Sequence, residues 1–426
     1  MQFKEDFLHF IWKFRLYNSP SLQCHPRGQL QVMNPGLLNK NAGPDFLEAK
    51  LRIDETLWAG HVEIHLKSSD WLLHHHDHDA AYDNIILHVV YENDQPIYRK
   101  NGCEIPVLVL KGMFDEALWY NYHALITNAN HFPCEKHLSG VNSMIINGFL
   151  NRQLVERLEV KTLAIQQQLD YYKGDWERTF YNFLARSFGF KVNASPFELL
   201  ASSLDPLILK KYQQSPLQFE ALLFGQAGFL NGHFEEPYPE SLRKEYAHLK
   251  RKHRLEPIDT SLWKFLRMRP QNFPTIRIAQ YSALLLQHPN LFTKLLEIRD
   301  FSAYYTLFQN LPMHLYWEDH YHFNKVTNKV SVQIGKSSIE NILINTICLF
   351  LYVYGKYTDQ EKYVDKAFDL LNFLPAEKNS ITEKYKFAGV NVDSAFSSQA
   401  VLQLNKSYCS QKKCLNCNIG IKILNK

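Results

Sequence analysis

The spacing of hydrophobic residues divides the chain into a short helical start, a strand-rich segment and a long helical remainder. Apolar residues at three- and four-residue intervals predict a helix over Glu5–Tyr17. Over the next hundred residues, short runs rich in Val, Ile and Leu are separated by Gly, Pro, Asn and Asp, which is typical of strands joined by turns. The predicted strands are Gln29–Met33, Phe46–Ile53, Trp58–Leu66, Asn84–Tyr91 and Glu104–Leu110.

Helical spacing returns near Val141 and continues along the rest of the chain. We therefore predict an α+β protein, in which an N-terminal mixed β-sheet module with flanking helices (residues 1–135) precedes a mainly helical region (residues 141–426). The predicted linker is His131–Gly140. The predicted helices are Ile145–Leu169, Trp176–Phe188, Pro196–Leu204, Leu217–Phe229, Thr275–Gln287, Leu291–Glu297, Ser337–Tyr354, Gln360–Leu374 and Asp393–Leu404.

The composition of the 426-residue chain is that of a folded protein, with 46% hydrophobic and 21% charged residues. Its formal net charge of +4 is too small to indicate a nucleic-acid partner by itself. The first residues (MQFKEDFL) lack the apolar core of a secretory signal, and the longest apolar run, Ile342–Tyr354, is too short to span a bilayer. The seven cysteines do not suggest a disulfide framework. We therefore expect a cytoplasmic protein with no membrane partner.

The strongest basic stretch, Arg243–Arg277, contains ten Lys or Arg residues and three acids. The simpler interpretation is the solvated face of a helix. The functional alternative is a surface that contacts the phosphate backbone of DNA or RNA. The sequence leaves both interpretations open.

The first candidate for chemistry lies in a predicted β-hairpin. Strands Phe46–Ile53 and Leu57–Leu66 flank a short polar connection, which is typical of a tight turn. Because side chains alternate across a strand, Glu63, His65 and Lys67 share one face. That face carries the acidic and basic groups that a catalytic site needs.

The pairing of the two strands decides whether Asp45 joins this face. If Ile53 pairs with Leu57, Asp45 lies opposite His65 and diagonal to Glu63, and one divalent cation fits between the two carboxylates. Pairing the apolar faces of both strands instead shifts the register by one residue and separates Asp45 from Glu63. A bulge, which adds one residue to one strand, would reconcile the two registers. The predicted position for that bulge is Ala59-Gly60.

The order of helix, strand, a GPDF motif opening the second strand, and an acid near the end of the third resembles the restriction-endonuclease-like PD-(D/E)XK nucleases. Asp45 matches the metal-binding Asp of that family, Glu63 its second acid, and His65 stands at its Lys position, with Lys67 two residues further on. The resemblance implies that Asp45 and Glu63 hold Mg²⁺ and that His65 or Lys67 lies near the phosphate during phosphodiester hydrolysis.

The histidine at the Lys position supports an alternative, in which the chain is a catalytically inactive nucleic-acid-binding protein that keeps the nuclease-like fold. A third hypothesis is an unrelated zinc metalloenzyme. Its ligands would come from the segment HHHDHD (His74–Asp79), of which we select His76 as a metal ligand. The same histidines also suit a polar surface turn, or the cleft that contains Glu63. His88, within an apolar run, suits a core position or a site position.

Three cysteines cluster in the segment YCSQKKCLNCNIG, at Cys409, Cys414 and Cys417. Closely spaced cysteines outside a disulfide framework often bind zinc or an iron–sulfur cluster, and Cys134 or Cys24 could supply a fourth ligand. The layout of one upstream cysteine and a downstream cluster is similar to that of some nucleases of the RecB-like branch. The alternative is three unligated thiols.

Several stretches of the chain also resemble a bacterial family known only as a domain of unknown function. This resemblance brings no established activity. The PD-(D/E)XK resemblance, the basic stretch and the C-terminal cysteines together lead us to expect a metal-dependent nuclease or nucleic-acid-processing protein with DNA or RNA as its partner. The matching stretches are NAGPDF, GHVEIHLKSSDW, the histidine-rich segment with LHVV, NFPTIRIAQ and YCSQKKCLNCNIG.

Overall fold

An amphipathic helix, α1 (Glu5–Lys13), opens the described part of this computed structural model, which comprises residues 4–17, 22–26, 28–329 and 332–425. Acidic residues occupy its first turn and Lys13 its last turn, which suits the polarity of the helix dipole. Its apolar face is buried and consists of Phe7, Leu8, Phe10, Ile11 and Trp12.

A mixed sheet of seven strands follows α1. The strands are β1 (Leu22–Gln23), β2 (Gln29–Asn34), β3 (Leu37–Leu38), β4 (Phe46–Ile53), β5 (Thr56–Lys67), β6 (Ile85–Glu92) and β7 (Val107–Val109). Their order across the sheet is β1-β2-β4-β5-β6-β7, and β3 pairs with β4. Neighbours along this order are antiparallel from β1 to β5 and parallel from β5 to β7.

Two short helices complete this part of the chain. Helix α2 (Asp70–Leu73) lies in the connection between β5 and β6, and α3 (Glu116–Thr127) follows β7. Strand β6 is buried at six consecutive positions from Ile85 to Val90, as expected for a strand with parallel neighbours and covered faces. The connection that follows β5 therefore leads into a buried strand of the sheet.

The pairing of β4 with β5 corrects one expectation about the hairpin. Ile53 pairs with Thr56 and not with Leu57, so the register that joins the apolar faces holds at the turn. The register then shifts between Phe46 and Ala49, which places the irregularity in β4 and not at Ala59-Gly60. The shift returns Asp45 to the side of β5 that carries Glu63.

The remainder of the chain is mainly helical. Four of its helices (α7 to α10 in the list below) begin with proline at the first or second position, where the missing N–H costs no intrahelical hydrogen bond. The elements are α4 (Ser143–Tyr171), α5 (Trp176–Phe188), α6 (Ala194–Ser203), α7 (Pro206–Lys210), α8 (Pro216–Gln226), α9 (Pro237–His253), α10 (Pro274–Gln287), α11 (Leu291–Glu297), α12 (Ser302–Thr306), β8 (His320–His322), β9 (Lys325–Val326), α13 (Lys336–Ile342), α14 (Cys348–Tyr357), α15 (Glu361–Phe373), α16 (Ser380–Phe387), α17 (Ala395–Leu404) and α18 (Asn418–Leu424).

This architecture confirms the α+β prediction, with a mixed sheet near the N-terminus and a mostly helical C-terminal region. By contacts the chain divides into two compact units. The first unit comprises Met1–Phe149, Lys384–Val390 and Leu404–Lys426, and the second comprises Leu150–Glu383 and Asn391–Gln403. The cysteine-rich C-terminal segment therefore belongs to the unit that contains the sheet, whereas the sequence analysis placed it at the end of the helical region.

Within the described residues, one helical stretch is long and apolar enough to cross a membrane by length and composition alone. It is Lys336–Tyr357, which includes the run Ile342–Tyr354, and 72% of its most apolar window is buried inside the protein. Such burial is also what a core helix shows.

Candidate functional site

Asp45 and Glu63 lie side by side at the beginning of β4 and near the end of β5. The backbone N–H of Asp45 donates a hydrogen bond to Oε2 of Glu63 (3.0 Å), and the backbone N–H of Ile64 donates to Oδ2 of Asp45 (3.0 Å). Each carboxylate thus holds the backbone of the opposite strand. The structure brings together the two acids that the sequence analysis selected.

The bulge in β4 produces this neighbourhood. Glu48, within the irregular stretch, has a φ of 57°, a left-handed conformation that side chains other than glycine adopt at a cost. Its backbone N–H donates to Nδ1 of His61 on β5 (3.3 Å). This contact gives the displaced backbone a partner where the regular ladder is interrupted.

Histidines surround the other oxygen of Glu63. Oε1 of Glu63 lies 3.4 Å from Nε2 of His76 and 3.6 Å from Nε2 of His65. Nε2 of His65 also lies 3.1 Å from Nδ1 of His74. Of all described residues, His65, His74 and His76 form the one group of three or more possible metal ligands whose ligand atoms lie within 4.8 Å of one another.

The turn after β5 carries His74 and His76 back to the strand. Asp94 anchors the start of this turn by accepting hydrogen bonds from the hydroxyl of Ser68 (2.8 Å) and from the hydroxyl and backbone N–H of Ser69 (2.7 and 2.9 Å). Burial acts to raise the pKa of Asp94, but the bonds from Ser69 and Ser68 lower it to about 2. The carboxylate therefore stays ionised and keeps these bonds over the physiological pH range.

The histidine-rich segment is exposed except at His76 and Asp77, which are half-buried. His74 and His76 face the site, whereas the side chain of His78 is 81% exposed and pairs with Asp77 (3.2 Å). His75, with a φ of 60°, is also exposed. One part of the segment is therefore a surface turn and another part lines the cleft, so both interpretations that the sequence left open apply.

His88 lies behind His65 in the interior of the sheet. Its Nε2 is 2.8 Å from Nδ1 of His65, and its side chain is fully buried. Lys67, the fourth selected residue of this region, ends β5 with an exposed side chain and pairs in register with Glu92. The polar neighbours of His65 in the structure are thus other histidines and Glu63.

One member of the site, His9 of α1, has no signal in the sequence. Its Nε2 lies 3.1 Å from Oδ2 of Asp45. It stands on an ordinary amphipathic helix, and only the packing of that helix on the sheet brings it to Asp45. Burial lowers the pKa of His9, but the hydrogen bond and negative charge of Asp45 outweigh this effect and raise it above the ordinary value.

Burial dominates the electrostatics of the other groups. It raises the pKa of Glu63, with an opposing contribution from His76 and a further rise from the charge of Asp45. It lowers the pKa of His65 to about 3, assisted by His76 and His74. His65 is consequently neutral near pH 7, so one ring nitrogen keeps a lone pair that can bind a metal.

A second cluster in the same unit contains four cysteines. Cys134, Cys414 and Cys417 are buried, and Cys409 is partly buried. Burial raises the pKa of the Cys134 thiol, and the proximity of Cys409, Cys417 and Cys414 raises it further. The hydroxyl of Tyr385 makes a hydrogen bond with Cys409. Cys134 is therefore near enough to the three cysteines of the C-terminal segment for their charge to act on it, although no three of these sulfur atoms lie within 4.8 Å of one another. Cys24 lies in β-sheet surroundings beside Gly28.

The surroundings of Cys417 act on its thiol in opposite directions. Burial raises the pKa of the thiol, and the backbone N–H groups of Gly420 and Ile419, in the first turn of α18, oppose that rise only in part. A side chain at position 420 would overlap the backbone of Cys414, so glycine permits this close turn. The segment after Cys134, a short 3₁₀ turn over Glu135–Gly140, packs against the same helix.

The basic stretch Arg243–Arg277 lies in the second unit, and its two ends differ in exposure. Its first part is α9, whose last turn carries Lys250, Arg251 and Lys252. Arg277, at its end, is 3% exposed and donates hydrogen bonds to side chains within the helical core, so it contributes nothing to a surface. Between these two ends, Lys264, Arg267 and Arg269 are exposed and lie outside any helix.

Comparison with known proteins identifies one family. The family described as "Protein of unknown function (DUF2851)" matches residues 5–380 of this chain. No curated protein and no solved structure matches this chain.

Proposed function

Because the chain belongs to the family of proteins of unknown function DUF2851, we propose its function from the chemistry of its own side chains. The proposed function is the metal-dependent hydrolysis of phosphodiester bonds in DNA or RNA. The observation that carries this proposal is the reciprocal contact of Asp45 and Glu63, in which each carboxylate accepts a hydrogen bond from the backbone of the other strand. Mg²⁺ is commonly bound by one or two carboxylates together with water and substrate phosphates.

The order of elements around this pair supports the proposal. Helix α1 precedes the antiparallel strands β2, β4 and β5, and the chain then crosses through α2 to the parallel strand β6. This is the arrangement expected of a restriction-endonuclease-like module. Asp45 directly precedes β4 and Glu63 lies in the second half of β5, as the PD-(D/E)XK resemblance requires.

In the proposed reaction, Asp45 and Glu63 hold the metal, which would activate a water molecule and stabilise charge on the phosphate. His65 is a poor partner for that phosphate because it is neutral and its ring nitrogens face His88 and His74. We assign the cationic role to His9, which the charge of Asp45 favours in its protonated form. Lys67 remains the second candidate, from its exposed position on β5.

The decisive experiment measures cleavage of labelled single-stranded DNA, double-stranded DNA and RNA by the full chain with Mg²⁺ or Mn²⁺. We expect Asp45→Asn and Glu63→Gln to abolish cleavage. The matched control is Glu55→Gln, which alters an exposed acid in the turn of the same hairpin and should leave the rate unchanged. Cleavage that persists undiminished in both site variants would refute the assignment.

A specific observation favours one other candidate. The buried, neutral His65 at the Lys position suits a nucleic-acid-binding protein that keeps the module without catalysis. Binding of the same labelled substrates without cleavage under either metal would select this alternative over the hydrolase.

We further propose that Cys134, Cys409, Cys414 and Cys417 bind zinc or an iron–sulfur cluster. Support comes from the charge effect of Cys409, Cys417 and Cys414 on the thiol of Cys134 and from the place of all four cysteines in the first unit. The bound group would join the C-terminal segment to the segment that follows α3, and so stabilise the first unit.

Analysis of the purified chain for zinc, iron and sulfide tests this second proposal and identifies the metal. Cys134→Ser should lower the metal content, while Cys103→Ser, at an exposed cysteine of the same unit, should not. Equal metal content in the two variants would contradict the four-cysteine site.

A further inference from the structure

Three histidine ring nitrogens lie within 4.8 Å of one another, and one carboxylate oxygen lies close to two of them. They are Oε1 of Glu63 and Nε2 of His65 on β5, and Nδ1 of His74 and Nε2 of His76 from the turn after α2. The separations are 3.1 Å between His74 and His65, 3.4 Å between His76 and Glu63, and 3.6 Å between His65 and Glu63.

We propose that these four residues form a binding site for a first-row transition-metal ion. Bonds of 2.0–2.1 Å from a tetrahedral ion to nitrogen and oxygen ligands place neighbouring ligand atoms about 3.4 Å apart. The three separations given above are close to this value, and Oε1 of Glu63 lies near His65 and His76 but not within 4.8 Å of His74. Imidazole-rich ligand sets suit zinc, iron, nickel or copper and do not suit Mg²⁺, which prefers oxygen.

The hydrogen bonds of the cluster leave a ligand position at His76. Its Nε2 is buried, and no hydrogen bond among the described residues satisfies it, although it stands 3.4 Å from a carboxylate oxygen. A buried polar atom without a partner is costly. A metal ion between the ring and the carboxylate would remove that cost.

His65 has the support that metal-binding histidines usually have. Its Nδ1 contacts Nε2 of His88 at 2.8 Å, on the side opposite to the cluster. A proton on Nδ1 of His65 would be donated to His88 and would leave the lone pair of Nε2 directed at His74, His76 and Glu63. Such a partner behind a ligating ring fixes its orientation and tautomer.

The site is separate from the proposed magnesium position, although both use Glu63. Oε1 of Glu63 faces the histidines, and Oε2 accepts the backbone N–H of Asp45. A carboxylate with its two oxygens so divided can bridge two ions. Transition-metal binding here does not require that the chain cleave phosphodiesters, so the two proposals fail independently.

The test counts the zinc bound by the full chain after removal of metals with a chelator and reloading. We expect the double variant H74A/H76A to bind one zinc ion fewer per chain than the wild type. The cysteines are unchanged in this variant, so any metal that they hold is common to both proteins.

The matched control is His78→Ala, which removes an exposed histidine of the same segment and should leave zinc binding unchanged. His75 is a less suitable control because its φ of 60° makes substitution itself a strain. Equal zinc content in the wild type and the double variant would overturn the proposal, because the 3.1 Å contact of His65 with His74 would then be a shared proton only.

A second measurement covers the case in which the double variant does not fold. Cu²⁺ added to the stripped wild type should give an electron paramagnetic resonance spectrum with coupling to imidazole nitrogens, and H78A should give the same spectrum. A copper spectrum without nitrogen coupling in the folded wild type would overturn the proposal without reference to any site variant.

Discussion

Glu220, on α8 of the second unit, is a buried acid whose ionisation should make stability depend on pH. It is 5% exposed, and its one described side-chain hydrogen bond comes from the hydroxyl of Tyr238 (3.0 Å), which itself accepts a bond from the indole of Trp317. Burial raises the pKa of Glu220 to about 7, and the bond from Tyr238 opposes this rise only in part. We therefore consider the substitution Glu220→Gln, which keeps the shape and an acceptor for Tyr238.

The sign and size of the pH effect on stability follow from the difference between the pKa of Glu220 in the folded and in the unfolded protein. The carboxyl keeps its proton to about pH 7 when folded but loses it near the ordinary value of 4.5 when unfolded. Folding therefore favours the protonated form, and the free energy of unfolding falls as the pH rises from 4.5 to 7. Each pKa unit corresponds to about 1.4 kcal/mol, so the loss amounts to at most about 3 kcal/mol.

Glutamine does not titrate, so the variant should escape this loss. The stability difference between Glu220→Gln and the wild type should be small at pH 4.5 and grow to about 3 kcal/mol in favour of the variant at pH 8. Urea unfolding followed by tryptophan fluorescence, at several pH values, measures it. Groups common to both proteins cancel in the difference.

The control for this experiment is Glu256→Gln, at an acid whose side chain is 88% exposed. It should change stability by a small amount that does not vary with pH. A gain for Glu220→Gln that is the same at pH 5 and pH 8, or no gain at pH 8, would refute the account of the buried carboxyl.

Three further substitutions test packing by urea unfolding, one in the second unit and two in the first. Gly225→Ala should destabilise the second unit by about 3 kcal/mol, because the new methyl group would overlap the ring of Tyr246. Gly148→Ala lies at an exposed helical position with free space and should instead stabilise the protein by up to about 1 kcal/mol. Trp12→Phe should cost about 1–2 kcal/mol in the first unit, because it removes the indole N–H that donates to the carbonyl of Pro35 (3.0 Å); an unchanged midpoint would show that water replaces this bond without loss.

Local patterns were sufficient for much of the secondary structure. The observed bounds of β4, α5 and α11 coincide with the predicted ones, because hydrophobic spacing and turn residues act within a few positions along the chain. Helix α9 was not predicted as an element. Its many charged residues and its prolines at Pro237 and Pro239 obscure the helical spacing of the tyrosines and leucines that form its buried face.

Contacts between distant segments could not be predicted in the same way. The bulge in β4 depends on a left-handed Glu48, where a sequence argument would look for glycine, and so the register near Asp45 could only be given as alternatives. His9 reaches Asp45 through the docking of a whole helix. The pairing of Asp45 with Glu63 is visible in the sequence as a motif, but its geometry depends on both of these long-range features.

The composition of the first unit has a consequence for the synthesis of the protein. Its sheet is built from the first hundred or so residues, yet Leu404–Lys426, with three of the four clustered cysteines, also belongs to it. A ribosome releases these residues after the whole second unit has been translated. The first unit, with its carboxylates and histidines, therefore becomes complete only after the intervening second unit has been translated.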